Sequence, residues 1–281
     1  MITLHAALEL ARSRTISPRN LELSVPAGTP RHWMGGDPYT SQLMNTFSLL
    51  FPPGERFFMD AVRAFRGKLT DPTLLLQVRG FLGQEALHSR EHKAFNAFLV
   101  TLGIDADGIE QSVADDIVQR RSTRTPLDDL AVTCALEHFT AIMADMWLKE
   151  PTLREQAPAA LRDLWTWHAL EELDHKAVAF DVYRAVDGDE VTRLRWMLRI
   201  TFAFVIGVSF LHIKLMKADG HFARPFAIAK SWWKFWGPRG YFTRRLPAYL
   251  RYYKRDFHPW QDDSRALIAR FERELALDYA A

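Results

Sequence analysis

Two copies of Glu-x-x-His, Glu85-Ala-Leu-His88 and Glu172-Leu-Asp-His175, are each preceded by a lone glutamate, Glu55 and Glu137. In a helix, residues three or four apart share a face, so each copy presents a carboxylate and an imidazole in one direction. The order Glu, Glu-x-x-His, Glu, Glu-x-x-His on four facing helices can surround two metal ions. His168 lies four residues before Glu172, so the last of these segments reads His-x-x-x-Glu-x-x-His and puts three side chains on one stripe.

A single Glu-x-x-His carries no weight, because 14 Glu and 10 His in 281 residues give about 0.5 chance matches. The surrounding periodicity gives the pattern its meaning. One stripe runs Val78, Phe81, Glu85, His88, His92, Phe95, Leu99; another runs Leu161, Trp165, His168, Glu172, His175, Ala179, Val182. A third, Leu130, Thr133, Glu137, Thr140, Ala144, Leu148, carries the second lone glutamate. Charged groups here sit on the apolar face, not opposite it, and a carboxylate facing a core needs a partner or a metal.

Alternating β-branched runs bounded by turns are scarce, so the chain is expected to be all-α, a four-helix bundle with extra C-terminal helices, which the resemblance given below implies to be ferritin-like. The length and 48% hydrophobic content suit one domain with a sizeable core. Residues 1–38 are rich in Pro and Gly and are expected to form an irregular arm, residues 39–213 the bundle, and residues 214–281 a basic, aromatic extension of it. Pro52-Pro53-Gly54 is expected to end a short helix at about residue 50 and start another, placing Glu55 near a helix N-terminus. The segment between Gly108 and Thr125 is polar and of unassigned structure. A helix from about residue 158 is expected to reach Asp187-Gly188. The 200–213 run is apolar but short for a simple membrane span.

The single cysteine, Cys134, cannot form an internal disulfide and fits a reducing compartment. It lies three residues before Glu137 on the same face and is expected to act as a small hydrophobe. With no signal-peptide pattern at the start, the expected location is the cytoplasm. Net charge is only +2, which gives no reason to expect a nucleic-acid partner. That balance hides an asymmetry. Residues 214–255 hold 11 Lys or Arg, one acid and 11 aromatics, a charge of +10 that leaves −8 for the rest. Two readings stay open. The tail meets an anionic membrane surface, which would put the protein on the inner face of the membrane, or its aromatics pack on the bundle or on a second subunit of a homodimer.

Four glutamates carry −4 and two divalent metals +4, so the combined site is neutral with three neutral histidines. Hard carboxylates with imidazole favour iron, then an iron–manganese pair; zinc stays open, although structural zinc prefers thiolates. The pattern resembles the ferritin-like di-iron carboxylate proteins, and the added histidine resembles the site of the arylamine N-oxygenases. Phe51-Pro-Pro-Gly-Glu-Arg-Phe-Phe58, Gly83-Gln-Glu-Ala-Leu-His88 with His92, and Trp167-His-Ala-Leu-Glu-Glu-Leu-Asp-His175 together resemble the bacterial family called predicted metal-dependent hydrolases, over about residues 35–260. The resemblance implies seven ligands: Glu55 and Glu137 as lone carboxylates, Glu85 with His88, Glu172 with His175, and His168 as an extra imidazole on the second metal. Glu171 is expected behind the ligands. His92 is expected to orient a ligand, carry a proton or sit as a satisfied core histidine, and His138 to be structural. The expected activity is that of an oxidase or oxygenase acting on an apolar or lipid-like small molecule with an external electron donor. The alternatives are a hydrolase using metal-activated water and a non-catalytic metal-binding protein.

Overall fold

Three long helices begin alike, with an Asp or Thr side chain accepting the first free amides and proline in the first turn. They are α2 (Pro38–Arg63, capped by Asp37), α3 (Pro72–Thr101, capped by Asp71) and α5 (Pro126–Lys149, capped by Thr125). The computed structural model describes residues 1–221 and 225–275, and the elements among them are α-helices and short 3-10 turns. With α7 (Ala159–His175) these helices close a ring: α2 packs on α3, α3 on α7, α7 on α5, and α5 on α2.

The ring has two apolar clusters with a polar layer between them. One cluster holds Phe47 of α2, Phe95 of α3, Leu148 of α5 and Trp165 of α7. The other holds Phe58, Phe81 and Leu130 together with Val182 of α8 (Val178–Ala185). Glu55, Glu85, His88, Glu137, Glu172 and His175 lie between the clusters along the helix axes.

The doubled proline does not break α2. Pro52 lacks the N–H that would bond to Ser48 O, yet Asn96 Nδ2 of α3 donates to that carbonyl at 3.1 Å. A side chain from the neighbouring helix thus replaces the missing backbone donor, and Glu55 sits well inside a 26-residue helix instead of at its start. The N-terminal arm is not wholly irregular, since α1 (Leu4–Ser13) is a helix, capped by Thr3. The rest of the arm crosses α3 where Gly80 and Gly83 allow it: a Cβ would lie 2.1 Å from Ile16 O at Gly80 and 2.5 Å from the Pro18 ring at Gly83. The polar segment after Gly103 is also helical, α4 (Ala106–Arg121). The expected single helix to residue 187 is interrupted at Lys176-Ala177, between α7 and α8.

The apolar 200–213 run is the middle of a 29-residue helix, α9 (Glu190–Ala218), which packs on α5 and α2. A four-residue helix, α6 (Pro151–Arg154), joins α5 to the segment before α7. Beyond α9 come α10 (Pro225–Trp236), α11 (Leu246–Arg251) and α12 (Arg265–Leu275), which packs on α7. Phe222 and Arg224 of the basic aromatic stretch lie outside the described residues.

Candidate metal centre

The four-helix ring brings all seven sequence-predicted ligands into the polar layer. Glu55, Glu85, His88, Glu137, His168, Glu172 and His175 are buried, the most exposed being His168 at 4%. His175 Nε2 lies 3.2 Å from Glu85 Oε1 and 3.6 Å from both Glu137 Oε2 and Glu172 Oε2. His88 Nδ1 lies 3.7 Å from Glu172 Oε1 and 3.9 Å from Glu85 Oε2, and His168 Nε2 lies 3.2 Å from Glu172 Oε1. Donor atoms thus fall into two groups with a shared middle: Glu55, His88 and His168 on one side, Glu85, Glu137 and His175 on the other, and Glu85, His88 and Glu172 between. His168 groups with Glu55 and His88, while its Nε2 also approaches Glu172. Its ring stacks on His88 at 4.1 Å between centroids.

A metal fits this arrangement because its atoms lack other partners. Both oxygens of Glu85 and of Glu137, one each of Glu55 and Glu172, both ring nitrogens of His88, and Nε2 of His168 and His175 are buried without a hydrogen bond. One such orphan costs about 1–3 kcal/mol, so a cluster of them calls for a ligand that takes lone pairs. Titration points the same way. Burial, with Glu85 beside Glu55 and with Glu172 beside Glu137 outweighing the opposing pull of His175, leaves both acids well above the usual carboxylate range, and burial raises Glu85 to about 7. Burial and the neighbouring His168 hold His88 well below the imidazole range. Glu172 and His175 differ: burial opposes charge on both, yet their mutual attraction holds the acid low and the imidazole high. Four carboxylates cannot all carry charge in so dry a layer without cations among them.

Two of the imidazoles are hydrogen-bonded from behind and the third faces a carboxylate there, through residues that the Glu/His pattern does not flag. His175 Nδ1 is 2.9 Å from Gln84 Oε1. His88 Nε2 is 3.2 Å from Glu171 Oε2, and Glu171 Oε1 accepts from the Arg19 amide at 2.7 Å. Arg19 also reaches Asp174, which Arg14 pairs as well. His168 Nδ1 is 2.9 Å from His92 Nε2, His92 Nδ1 is 2.8 Å from Ser48 Oγ, and Ser48 Oγ donates to Asn96 Oδ1 at 2.7 Å. If His168 Nε2 is to ligate, its proton sits on Nδ1 and His92 must accept it. His92 is then protonated on Nδ1 and donates to Ser48. The chain of bonds permits one tautomer for each ring. Ser89 Oγ donates to Glu55 Oε2 at 2.7 Å.

His138 points away, its Nε2 3.2 Å from Ala248 O. Cys134 is buried in the apolar cluster below the layer, where burial and the Glu137 charge push its thiol up. A second group with metal-ligand spacing, His32, Asp219 and His221, sits near the surface. Asp219 already accepts from Gln42 and pairs with Arg31 and His32, and no atom of the three is a buried orphan, so it needs no ion.

Two cavities among the described residues reach the layer beside its carboxylates, and a smaller pocket touches His175. One of about 40 Å³ lies beside His168 and Glu172 among Met44, Phe51, Trp147 and Trp165. The other, about 580 Å³, runs beneath α9 and ends at Glu55. Its walls include Phe57, Leu136, Met143, Phe204 and Val208, with Asp116, Arg120 and Lys214 among the polar lining. Phe47, Phe51, Thr140 and Met143 line both.

No curated protein and no solved structure matches the chain. One family model does, over residues 17–263, a span that holds the whole four-helix ring and all seven candidate ligands. By that match the chain belongs to the family described as predicted metal-dependent hydrolases.

Proposed function

We propose that this chain is a dinuclear metal enzyme of the ferritin-like carboxylate type, whose centre activates O₂ toward an apolar or lipid-like small molecule, with electrons from an external donor. The observation that carries the reading is the joining of two features at one carboxylate. A layer of orphaned O and N donors ends at Glu55, and so does an apolar cavity of about 580 Å³, within the usual range for a small-molecule site. Glu55, His88 and His168 would hold one ion, Glu137 and His175 the other, with Glu85 and Glu172 shared. Such a pair, iron by its hard donors, would supply reversible one-electron steps and a place for oxygen to be reduced.

The chain's own residues do the rest. Gln84, Glu171 and His92 fix the three imidazoles so that their free nitrogens face inward. Phe47, Phe51 and Met143 exclude water from the inner end of the cavity and orient an apolar group toward Glu55. The smaller void beside His168 and Glu172 has room for a small apolar molecule such as O₂.

The family description favours a second reading, hydrolysis by metal-activated water. The residues are less suited to it, since the walls of the site that face away from the ligands are mainly aromatic and aliphatic. Metal analysis of protein from iron-supplemented cells, with optical spectra after reductant and then air, separates the two. Two iron ions per chain, with absorption that bleaches on reduction and returns in air, are expected. Two tightly held zinc ions, no spectral change and turnover of an ester or phosphate would replace the first reading with the second.

A further inference from the structure

α9 is long and apolar enough, by length and composition alone, to cross a bilayer, yet only 22% of its most apolar stretch is buried. Its inner face does pack: Ile200, Leu211 and Leu215 are buried, and α2 and α5 lie along it. That attachment holds the helix flat on the bundle. The outer face has no cover among the described residues. Leu198, Phe202, Val205, Ile206, Phe210 and Ile213 recur at helical spacing and are 44–72% exposed. Six large apolar side chains in one stripe are more than a free surface usually leaves in water.

The flank of this stripe is charged. Tyr39 touches both His212 of α9 and Phe235 of α10, so α10 lies beside the C-terminal half of α9. α10 exposes Trp232, Trp233 and Trp236. Lys214, Lys230 and Arg239 are exposed and have no carboxylate partner among the described residues. The acid of this stretch, Asp219, is taken by Arg31. Other charges are spent within the fold: Arg244 and Arg245 pair with Glu150, and Arg251 with Asp262.

From these observations we infer that the outer face of α9, with the tryptophans and unpaired cations beside it, docks on an anionic lipid bilayer and lies in its interface. Apolar side chains enter the acyl boundary, indole rings sit at headgroup level, and Lys and Arg meet lipid phosphate. A second copy of this chain is the poorer occupant, because a two-fold contact would bring the same cations face to face. Phe210 and Lys214 belong both to this face and to the cavity lining. One wall of the cavity therefore borders the face that would lie on the bilayer, and an amphiphile could enter there chain first. The docking surface does not depend on the metal centre, so either can fail alone.

Co-sedimentation of the full chain with vesicles of phosphatidylcholine, alone or mixed with phosphatidylglycerol, tests it. Pelleting with the mixed vesicles that weakens in high salt is expected. Phe202→Glu with Ile206→Glu should cut partitioning by at least about tenfold, and Lys230→Glu with Arg239→Glu should cut it by a similar factor and weaken its salt dependence. Both pairs are exposed, so metal content and melting temperature should stay as in the wild type. No pelleting at low salt overturns the inference. So does a dimer, seen by analytical ultracentrifugation, that Phe202→Glu dissolves while vesicle binding is absent.

Discussion

The metal layer and the outer face of α9 both invert the usual distribution of polarity. In the layer, carboxylates and imidazoles are buried between apolar clusters; on α9, phenylalanine and isoleucine face outward. Neither is explained by the chain alone; on the readings proposed above each would be matched by something the chain does not supply, cations in one case and lipid in the other. They differ in how firmly they are built. Each candidate ligand imidazole faces a polar side chain behind it, Gln84, His92 or Glu171, and these are themselves bonded, to Ser17 O, Ser48 and the Arg19 amide in turn. The α9 stripe has no such support and needs none, since a liquid interface accepts many side-chain positions. A built site should respond steeply to single changes and a wetting surface gradually.

The largest effect is therefore expected inside. Glu85 is shared between both ligand groups, so Glu85→Ala should lose at least one ion and lower the melting temperature, because the remaining carboxylates then repel one another with less compensation. Metal content per chain and a thermal melt, with and without chelator, measure it. If the variant held two ions at wild-type affinity, the layer would be an ordinary buried network and the contrast with α9 would lose its basis. One step back from the ligands, Glu171 touches His88 Nε2. Glu171→Gln keeps the shape and removes the charge, and should weaken metal binding by about 10–100-fold. An unchanged affinity by competition with a chromophoric chelator would show that His88 orients itself without help.

The legibility of the sequence divides along the same line. Ligand helices could be read because a buried charge on an apolar stripe is a contradiction visible in one dimension. Glu55, Glu85, His88, Glu137, His168, Glu172 and His175 do come together, and the whole described fold is helical. Features that rest on one helix answering another could not be read. Pro52 and Pro53 look like a break unless Asn96, more than 40 residues later, is known to face Ser48 O. Arg19 belongs to an arm rich in turn residues, and nothing local links it to Glu171; the hint was the pair Gly80 and Gly83, which leave room for that arm. α4 hid because Asp105 to Arg121 is too polar to show a stripe, having only Ala106 and Ile109 buried. The side of the layer on which His168 falls is set by His92 and by the stack on His88, and helical spacing is silent on both. In the basic aromatic stretch Phe235, Tyr241 and Tyr252 are buried whereas Trp232, Trp233 and Trp236 are exposed, a division that composition alone does not reveal.

The smallest predicted effect concerns the seam between the two regions. His212 sits on the inner face of α9, 7% exposed, with Nε2 3.1 Å from Tyr39 O, and burial lowers its imidazole to about 4. The folded chain thus holds it neutral at a pH where the unfolded chain has begun to protonate it. Below its unfolded value of about 6.5 the unfolded state binds the extra proton, so stability falls as pH drops, until the folded value is reached. The sign is opposite to that of a histidine that gains an acidic partner on folding. Between about pH 7 and pH 5.5 this one group should cost about 1 kcal/mol of stability. Other groups titrate in that window as well, so the informative quantity is a difference. In urea denaturation of wild type and His212→Gln, the gap between the two should shift in favour of the variant as pH falls, because glutamine does not titrate. A gap independent of pH would mean that His212 is already open to solvent in the native state, and that α9 is held on α2 less closely than the packing of its inner face implies.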